Sequence, residues 1–227
     1  MKKMRFLTVC LLSLVLAFSI GPAMAAYQET LYMDAQMEIG NLVQLYNGAV
    51  LTAFSIENTD PGPYPNNRVA GYFDNGAFVT IGLGNLSAHD MLRVEYQVGF
   101  LGAWDNGRFM CWGPNGLMHL DTTFTNNPNG TQNYPTAGSP GGSGSFDSMI
   151  LFGDMQTYIY NMSHTFAHNI NTSTTYFYAP GCPSGAYWYL DNIKVYGLTE
   201  VIVPEPSSIM ALFSGLLGLG IAGLRRK

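Results

Sequence analysis

Five side chains of this sequence carry the oxygen atoms that a calcium ion binds. Four of them form two Asp-Asn pairs adjacent in the sequence, Asp105-Asn106 and Asp191-Asn192, and the fifth side chain is Asp121. Calcium takes several oxygen ligands, mostly from carboxylates and from amide or backbone carbonyls. These residue types predict a structural calcium site, provided that the fold brings them together.

Asp191 stands out among the five because of its neighbours in the sequence. If its segment is an extended strand, alternate residues share a face, and the carboxylate lies in line with apolar side chains. The neighbours on that predicted face are Tyr189, Ile193 and Val195. Because an unpaired buried charge is costly, we expect Asp191 to bind a metal, to pair, or to cap a turn through backbone N–H groups.

Aromatic side chains offer a second kind of chemistry, which is stacking on the apolar faces of sugar rings. The first candidates are the tryptophans Trp104, Trp112 and Trp188, followed by Tyr134 and the cluster at 176–178. Most aromatic residues of a β-sandwich belong to its core, so a core position is the alternative for each of them.

Catalytic motifs are missing from the sequence. It contains no Gly-x-Ser-x-Gly elbow, no His-Glu-x-x-His motif and no phosphate loop, and no close carboxylate pair on one strand indicates a glycosidase. The histidines are His89, His119, His164 and His168. His164 and His168 would form a zinc pair on a helix, but the local pattern is not helical. We therefore predict a non-catalytic protein whose histidines are polar residues of turns and edge strands.

The candidate residues lie in a body that alternates apolar and polar residues. The clearest strands are predicted at Met91–Phe100 and Phe78–Leu83. Shorter ones are predicted at 49–56, 68–73, 109–112, 118–125, 156–163, 174–178 and 187–196. Because turn residues separate them and no helical periodicity intervenes, the fold class is all-β, an antiparallel sandwich over residues 26–200. Residues 126–147, rich in Gly, Ser, Asn and Pro, are predicted to form a long surface loop that packs no core.

Charge and cysteine content narrow the function classes. Residues 26–203 contain four Lys and Arg side chains against 14 Asp and Glu side chains. Such a negative surface disfavours binding to nucleic acid or to anionic lipid, both of which require clustered cations. Cys111 and Cys182 are predicted to form one disulfide in an oxidising compartment, with two buried thiols as the alternative.

The N-terminal segment has the order of a secretory signal peptide. Lys2, Lys3 and Arg5 precede an apolar run at 6–20, and small residues precede a predicted cut before Ala26. Residues 1–25 are therefore predicted to be a signal peptide, recognised by the export machinery and removed by signal peptidase.

The C-terminal segment at 203–227 combines a short motif, an apolar run at 209–224 and a basic end. The motif and the end consist of Val203, Pro204, Glu205, Pro206, Arg225, Arg226 and Lys227. This order resembles the PEP-CTERM sorting signal of Gram-negative bacteria. The resemblance implies that an exosortase-type membrane protease reads the tail, which holds the protein in the inner membrane by a transmembrane helix. It also implies later transfer to the cell surface or extracellular matrix.

Two stretches of the body carry a second resemblance. Residues 85–90 with the strand after them and Trp104–Gly107, and also Tyr187–Val195, are similar to exported bacterial jelly-roll domains. Those domains resemble carbohydrate-binding modules and concanavalin-like lectins. The resemblance implies a non-catalytic protein that binds extracellular polysaccharide. A purely structural surface or matrix protein, or a glycan-active hydrolase, remains the alternative.

Overall fold

The computed structural model describes residues 24–36, 43–54, 59–61, 68–151 and 155–203. Two units are distinguished within the chain: Glu29–Thr199 is the larger, and Met1–Gln28 with Glu200–Lys227 is the other. The predicted signal peptide up to residue 23 and the tail after Val203 lie outside the described residues. Within the described part of the chain, no helix is long and apolar enough to span a membrane.

The described residues are arranged almost entirely in strands and the turns between them. The bounds of the strands are β1 Met24–Ala35, β2 Gln44–Leu45, β3 Val50–Phe54, β4 Thr59–Pro61, β5 Arg68–Phe73, β6 Phe78–Gly84, β7 Met91–Leu101, β8 Gly107–Trp112, β9 Met118–Phe124, β10 Thr131–Gln132, β11 Ser139–Pro140, β12 Asp147–Leu151, β13 Met155–Ala167, β14 Ser173–Tyr178 and β15 Tyr187–Val203. A single 3-10 turn at Pro114–Gly116 separates β8 from β9 in the described residues.

The strands form two main sheets. An eight-stranded sheet has the order β12-β13-β7-β15-β1-β2, with β5 also pairing with β15 and β4 pairing with β5. A five-stranded sheet has the order β3-β6-β14-β8-β9, and β10 and β11 form a small ribbon. The strand pairs whose registers are resolved in the described residues are antiparallel. The prediction of an all-β antiparallel fold is therefore confirmed.

The core lies between the two sheets and is dominated by aromatic rings. Along β7, alternate residues from Leu92 to Phe100 are buried, whereas Arg93, Glu95 and Gln97 between them remain partly exposed. The ring of Phe100 lies 4.4 Å from Phe124 and 5.6 Å from Phe109, both on the facing sheet. Burying each such ring contributes on the order of 2 kcal/mol, so these contacts hold the sheets together as a sandwich.

A β-bulge in β15 changes the faces of the residues that follow Asp191. The register against β7 shifts between Asp191 and Lys194, and Asn192 adopts a positive φ of 49°. A bulge adds a residue to one strand, so side chains after it change faces relative to a regular strand. Ile193 and Val195 consequently belong to the core, together with Trp188 and Leu190.

The prediction that Tyr189, Asp191, Ile193 and Val195 share one face is thus wrong. Tyr189 belongs to a separate cluster with Val69 and Leu101. The physical reason is the bulge. Side chains of a regular strand alternate between its two faces, and the extra residue of a bulge shifts that alternation for the residues after it.

The segment 126–147 is not the structureless loop that the sequence predicts. Asn126 and Gln132 are buried, and the ribbon of β10 and β11 lies within the segment. The Asn126 amide donates to the carbonyl oxygens of Phe100 at 2.6 Å and Gln156 at 2.9 Å. The ring of Tyr134 packs against the core, 5.1 Å from Phe124. Buried amides replace the hydrogen bonds that longer strands would supply, so the segment is ordered without regular periodicity.

The predicted disulfide between Cys111 and Cys182 is absent, and both residues are free, buried thiols. Cys111 points into the core from β8, where its thiol bonds the Tyr96 hydroxyl. Cys182 lies in the loop before β15 and donates to the Ala186 carbonyl oxygen at 3.1 Å. Each sulfur therefore has its own partner, as in the alternative of two buried thiols.

These thiols are expected to be unreactive in the folded protein. Burial raises the pKa of Cys111 to about 12 and that of Cys182 to about 11, so neither forms a thiolate near neutral pH. Iodoacetamide should modify both residues only after denaturation in urea, as measured by mass spectrometry of their peptides. Rapid modification of the folded protein, or protection that persists in urea until a reductant is added, would contradict this expectation.

Candidate functional site

Four aromatic side chains meet on the outer face of the five-stranded sheet. They come from three adjacent strands, β6, β14 and β8, and are named here the aromatic platform: Phe78, Trp112, Tyr176 and Tyr178. Strand register explains their meeting, because Tyr178 pairs with Phe78 and Tyr176 pairs with Trp112. Side chains opposite each other on antiparallel strands lie close enough to touch. The platform is therefore a direct consequence of register.

The platform lies at the surface, whereas its strand neighbours face the core. The Phe78 side chain is 50% exposed, and the other three are partly exposed. Between them in the sequence, Val79, Cys111 and Phe177 are buried. The centroid of the Phe78 ring lies 5.3 Å from Tyr176, 5.8 Å from Tyr178 and 6.5 Å from Trp112. These rings cover one continuous patch of the sheet.

An ion pair lies on the same face of β8 as Trp112. The Arg108 guanidinium donates two hydrogen bonds to the Asp121 carboxylate, each 2.6 Å long. These bonds lower the pKa of Asp121 and raise that of Arg108, so both groups stay charged. Because the pair is neutral as a whole, the aromatic platform is bordered by polar atoms without a net charge of its own.

An exposed aromatic patch with polar atoms beside it is suited to a ligand with both apolar and hydroxyl surfaces. A sugar ring has this character, since its C–H groups contact aromatic faces while its hydroxyl groups form hydrogen bonds. The Tyr176 and Tyr178 hydroxyl groups and the Arg108–Asp121 pair supply such hydrogen-bonding atoms. The arrangement therefore offers both an apolar surface and hydrogen-bonding atoms to such a ligand.

Of the three tryptophans considered for stacking, Trp112 is the one on this surface. Trp104 and Trp188 are fully buried. Trp104 donates to the Gly107 carbonyl oxygen at 3.2 Å, and the Trp188 ring lies 4.6 Å from Phe73. Both are core residues, so the core position given above as the alternative to sugar stacking is the one they occupy.

Phe78 was missed by sequence reasoning, although Tyr176 and Tyr178 were considered. The alternation within β6 does indicate that Phe78 faces away from Val79 and Ile81. That it lies beside Trp112 depends on the pairing of β14 with both β6 and β8, and no local pattern reveals that pairing.

The structure does not bring the five candidate calcium ligands together. Asp105 and Asn106 lie in the turn between β7 and β8, where Asp105 accepts from Thr125 at 3.1 Å. Asp121 lies on β9 and accepts hydrogen bonds from Arg108 on β8. Asp191 and Asn192 lie on β15, which belongs to the other sheet. In the parts of the chain that the structure describes, no group of three His, Cys, Asp or Glu side chains is suited to a metal ion.

Asp191 is buried and accepts the Asn192 backbone N–H at 2.8 Å. Asp191 thus caps a backbone N–H group, as in the turn-capping alternative to a metal, and it does so at the bulge of β15. Because the donor set is dispersed, the residues do not fit a shared calcium ion, and calcium plays no part in the function proposed below.

Two of the histidines form a buried pair that the sequence did not predict. His89 precedes β7 and His168 follows β13, and their Nε2 and Nδ1 atoms lie 2.7 Å apart. His168 Nε2 lies 3.0 Å from the Thr172 carbonyl oxygen. Burial, together with the neighbouring His89, lowers the pKa of His168. The pair links two chain segments far apart in the sequence and is not open to a ligand.

The sorting residues can be placed only in part. Val203 is the last residue of β15. Residues 204–227, which include Pro204, Glu205, Pro206, Arg225, Arg226 and Lys227, lie outside the described residues.

Comparison with known proteins found similarity to solved structures, whereas no family model and no curated protein matches the chain. One structure is the C-terminal CBM6 module of a laminarinase from Zobellia galactanivorans, with 15% identity, a TM-score of 0.33, and coverage of 76% of this chain and 99% of that one. The mannan-recognising module TmCBM27 has 12% identity, a TM-score of 0.30, and coverage of 77% and 99%.

A third structure, an exo-β-1,3-galactanase from Phanerochaete chrysosporium, has 13% identity and a TM-score of 0.30. The match covers 78% of this chain but only 29% of that enzyme. These identities and scores are too low to assign a function to the chain.

Proposed function

We propose that this protein binds extracellular polysaccharide without catalysis, through the aromatic platform. The observation that carries the proposal is the meeting of Phe78, Trp112, Tyr176 and Tyr178 on an exposed sheet face. Apolar side chains exposed together in this way usually mark a binding surface. The excess of carboxylates over cations in residues 26–203 favours a neutral polysaccharide, since an anionic polymer would be repelled.

Export and sorting complete the proposed function. Residues 1–25 would direct export, and the PEP-CTERM-like segment at 203–227 would be read by an exosortase-type protease. The protein would then act at the cell surface or in the extracellular matrix of a Gram-negative bacterium.

Replacing Trp112 with alanine tests the platform. We expect polysaccharide affinity to fall about tenfold, equivalent to about 1.4 kcal/mol, because the largest ring of the platform is lost. Binding of the full chain to laminarin, mannan and galactan would be measured by affinity electrophoresis and calorimetry. Phe78→Ala should weaken binding in the same direction.

The matched control is Phe146→Ala, which removes an exposed aromatic ring of similar accessibility outside the platform. It should leave binding unchanged. Equal binding by the Trp112 variant and the wild type would contradict the proposal. The proposal would also be contradicted if the wild type bound none of the three polysaccharides and instead formed dimers through the platform in sedimentation experiments. That result would favour the purely structural alternative.

A further inference from the structure

A concave surface lies on the opposite side of the sandwich from the aromatic platform. It is named here the polar groove and has a volume of about 450 Å³, within the range of small-ligand sites. Strands β7, β13 and β15 supply its polar lining: Glu95, Gln97, Asn161, Ser163, Asn192 and Lys194. The alternating residues of β7 and β13, such as Val94 and Met162, face the core. The groove therefore lies on the outer face of the eight-stranded sheet.

The bulge in β15 builds the centre of the groove. Asn192 has a positive φ, and its amide Nδ2 donates to Gln97 Oε1 at 2.9 Å. This bond orients both amides and leaves the Asn192 carbonyl oxygen as an acceptor and the Gln97 amino group as a donor. The side chains of Asn161 and Ser163 are exposed on the neighbouring strand and line the same groove. Donors and acceptors are thus held ready for a ligand.

The charges of the groove are already balanced by the protein. The groove is lined by one charge of each sign: Glu95 Oε1 lies 2.9 Å from Arg93 Nε, and Lys194 Nζ lies 3.7 Å from Asp34. Arg93 donates its hydrogen bonds to Glu29. An ionic ligand would have to compete with these pairs, whereas a neutral ligand leaves them intact. Mixed donors, mixed acceptors and balanced charge fit a neutral ligand with many hydroxyl groups.

We propose that the polar groove is a second binding site for neutral polysaccharide and that the protein cross-links two polymer chains. The two sheets of a sandwich are about 10 Å apart and expose opposite faces, so one straight polymer segment cannot lie on both. The groove and the platform would therefore hold different chains. The cross-linking activity rests on the function proposed above for the platform, whereas the groove itself is a separate structural feature.

The test combines Asn161→Ala with Asn192→Gly in the full chain. Glycine accepts the positive φ at position 192, so the bulge should persist while the amide is removed. Thr165→Ala is the matched control, because Thr165 is an exposed residue two positions beyond Ser163 on the same face of β13. Beads coated with laminarin, mannan or galactan would be mixed with protein and then with the same polysaccharide carrying a fluorophore.

We expect the wild type and the control to recruit fluorescent polysaccharide to the beads. The groove variant should still bind the beads but recruit at least fivefold less polymer, and calorimetry with short oligosaccharides should show one site instead of two. Recruitment by the groove variant equal to that of the wild type would overturn the inference and leave the platform function standing. Absence of wild-type binding to every probe would overturn both.

Discussion

Replacing Gln132 with leucine is expected to lower the free energy of unfolding by about 4 kcal/mol. The Gln132 side chain is almost completely buried, with 1% of its surface exposed. Its oxygen accepts from the Thr125 N–H at 3.1 Å, and from the Gly142 N–H and the Tyr160 hydroxyl at 3.3 Å each. Its amino group donates to two carbonyl oxygens of the same loop.

Leucine preserves much of the volume of glutamine but forms none of these hydrogen bonds. Each group that loses its partner costs on the order of 1 kcal/mol, and less where it is partly exposed; five such groups surround this position, three of them partly exposed. The residue next in sequence, Asn133, is exposed, so Asn133→Ala is the matched control and should change stability by less than about 0.5 kcal/mol. Urea unfolding followed by tryptophan fluorescence would measure both variants.

A loss of less than about 1 kcal/mol for Gln132→Leu would show that the segment 126–147 is not held by this side chain. A loss of the expected size would show that a loop rich in glycine and proline is part of the cooperative fold. The adjacent core rings, Tyr160 and Phe124, would then depend on it, because Tyr134 packs against both.

Acidification is expected to destabilise the protein through His164 before the carboxylates protonate. His164 lies on β13, and its Nε2 atom is 3.1 Å from the Tyr96 hydroxyl. Burial, and secondarily the charge of His119, lowers the pKa of His164 from 6.5 to about 4. The folded protein therefore holds this ring neutral at a pH at which the unfolded chain protonates it.

The direction of the effect follows from proton binding. Between the two pKa values the unfolded state binds more protons, so stability decreases as the pH falls. From about pH 6.5 to about pH 5, His164 alone should remove about 2 kcal/mol, and about 3 kcal/mol by about pH 4. The lowered pKa values of His119 and His168 act in the same direction. Glu29 and Asp121 also have lowered pKa values, so their contribution is present above their ordinary values of 4.5 and 3.8 and decreases only as the pH falls below them.

His164→Gln is the informative variant, because an amide oxygen can still accept from the Tyr96 hydroxyl while the side chain cannot titrate. The free energy of unfolding, measured in urea at about pH 7 and about pH 5, should fall by about 2 kcal/mol less in this variant than in the wild type. Equal pH dependence of the two proteins would show that His164 does not carry the effect.

Strand positions follow from the sequence because strand alternation is a local property. The prediction of Met91–Phe100 corresponds to β7 at Met91–Leu101, and that of Phe78–Leu83 corresponds to β6 at Phe78–Gly84. Residues 174–178 correspond to β14 at Ser173–Tyr178. In each case, buried and exposed side chains alternate every second residue, so neighbouring residues alone reveal the strand.

The faces of these strands were harder to assign, because both sheet faces carry aromatic residues. Trp104 and Trp188 are in the core and Trp112 is at the surface, although the three have the same chemistry. The bulge at Asp191 and Asn192 could not be read from alternation, and it moved Ile193 into the core and built the polar groove.

The sequence by itself determined the all-β class, the positions of the strongly alternating strands β6, β7 and β14 and the excess of carboxylates, since these depend on residues near one another or on composition. It also predicts export and sorting, through residues 1–25 and 203–227. Only the tertiary structure decided that the platform residues meet, that the groove lies on the opposite face and that the cysteines stay apart. These features join strands separated by tens of residues, and the register between such strands is set by packing of the whole sandwich rather than by any local pattern.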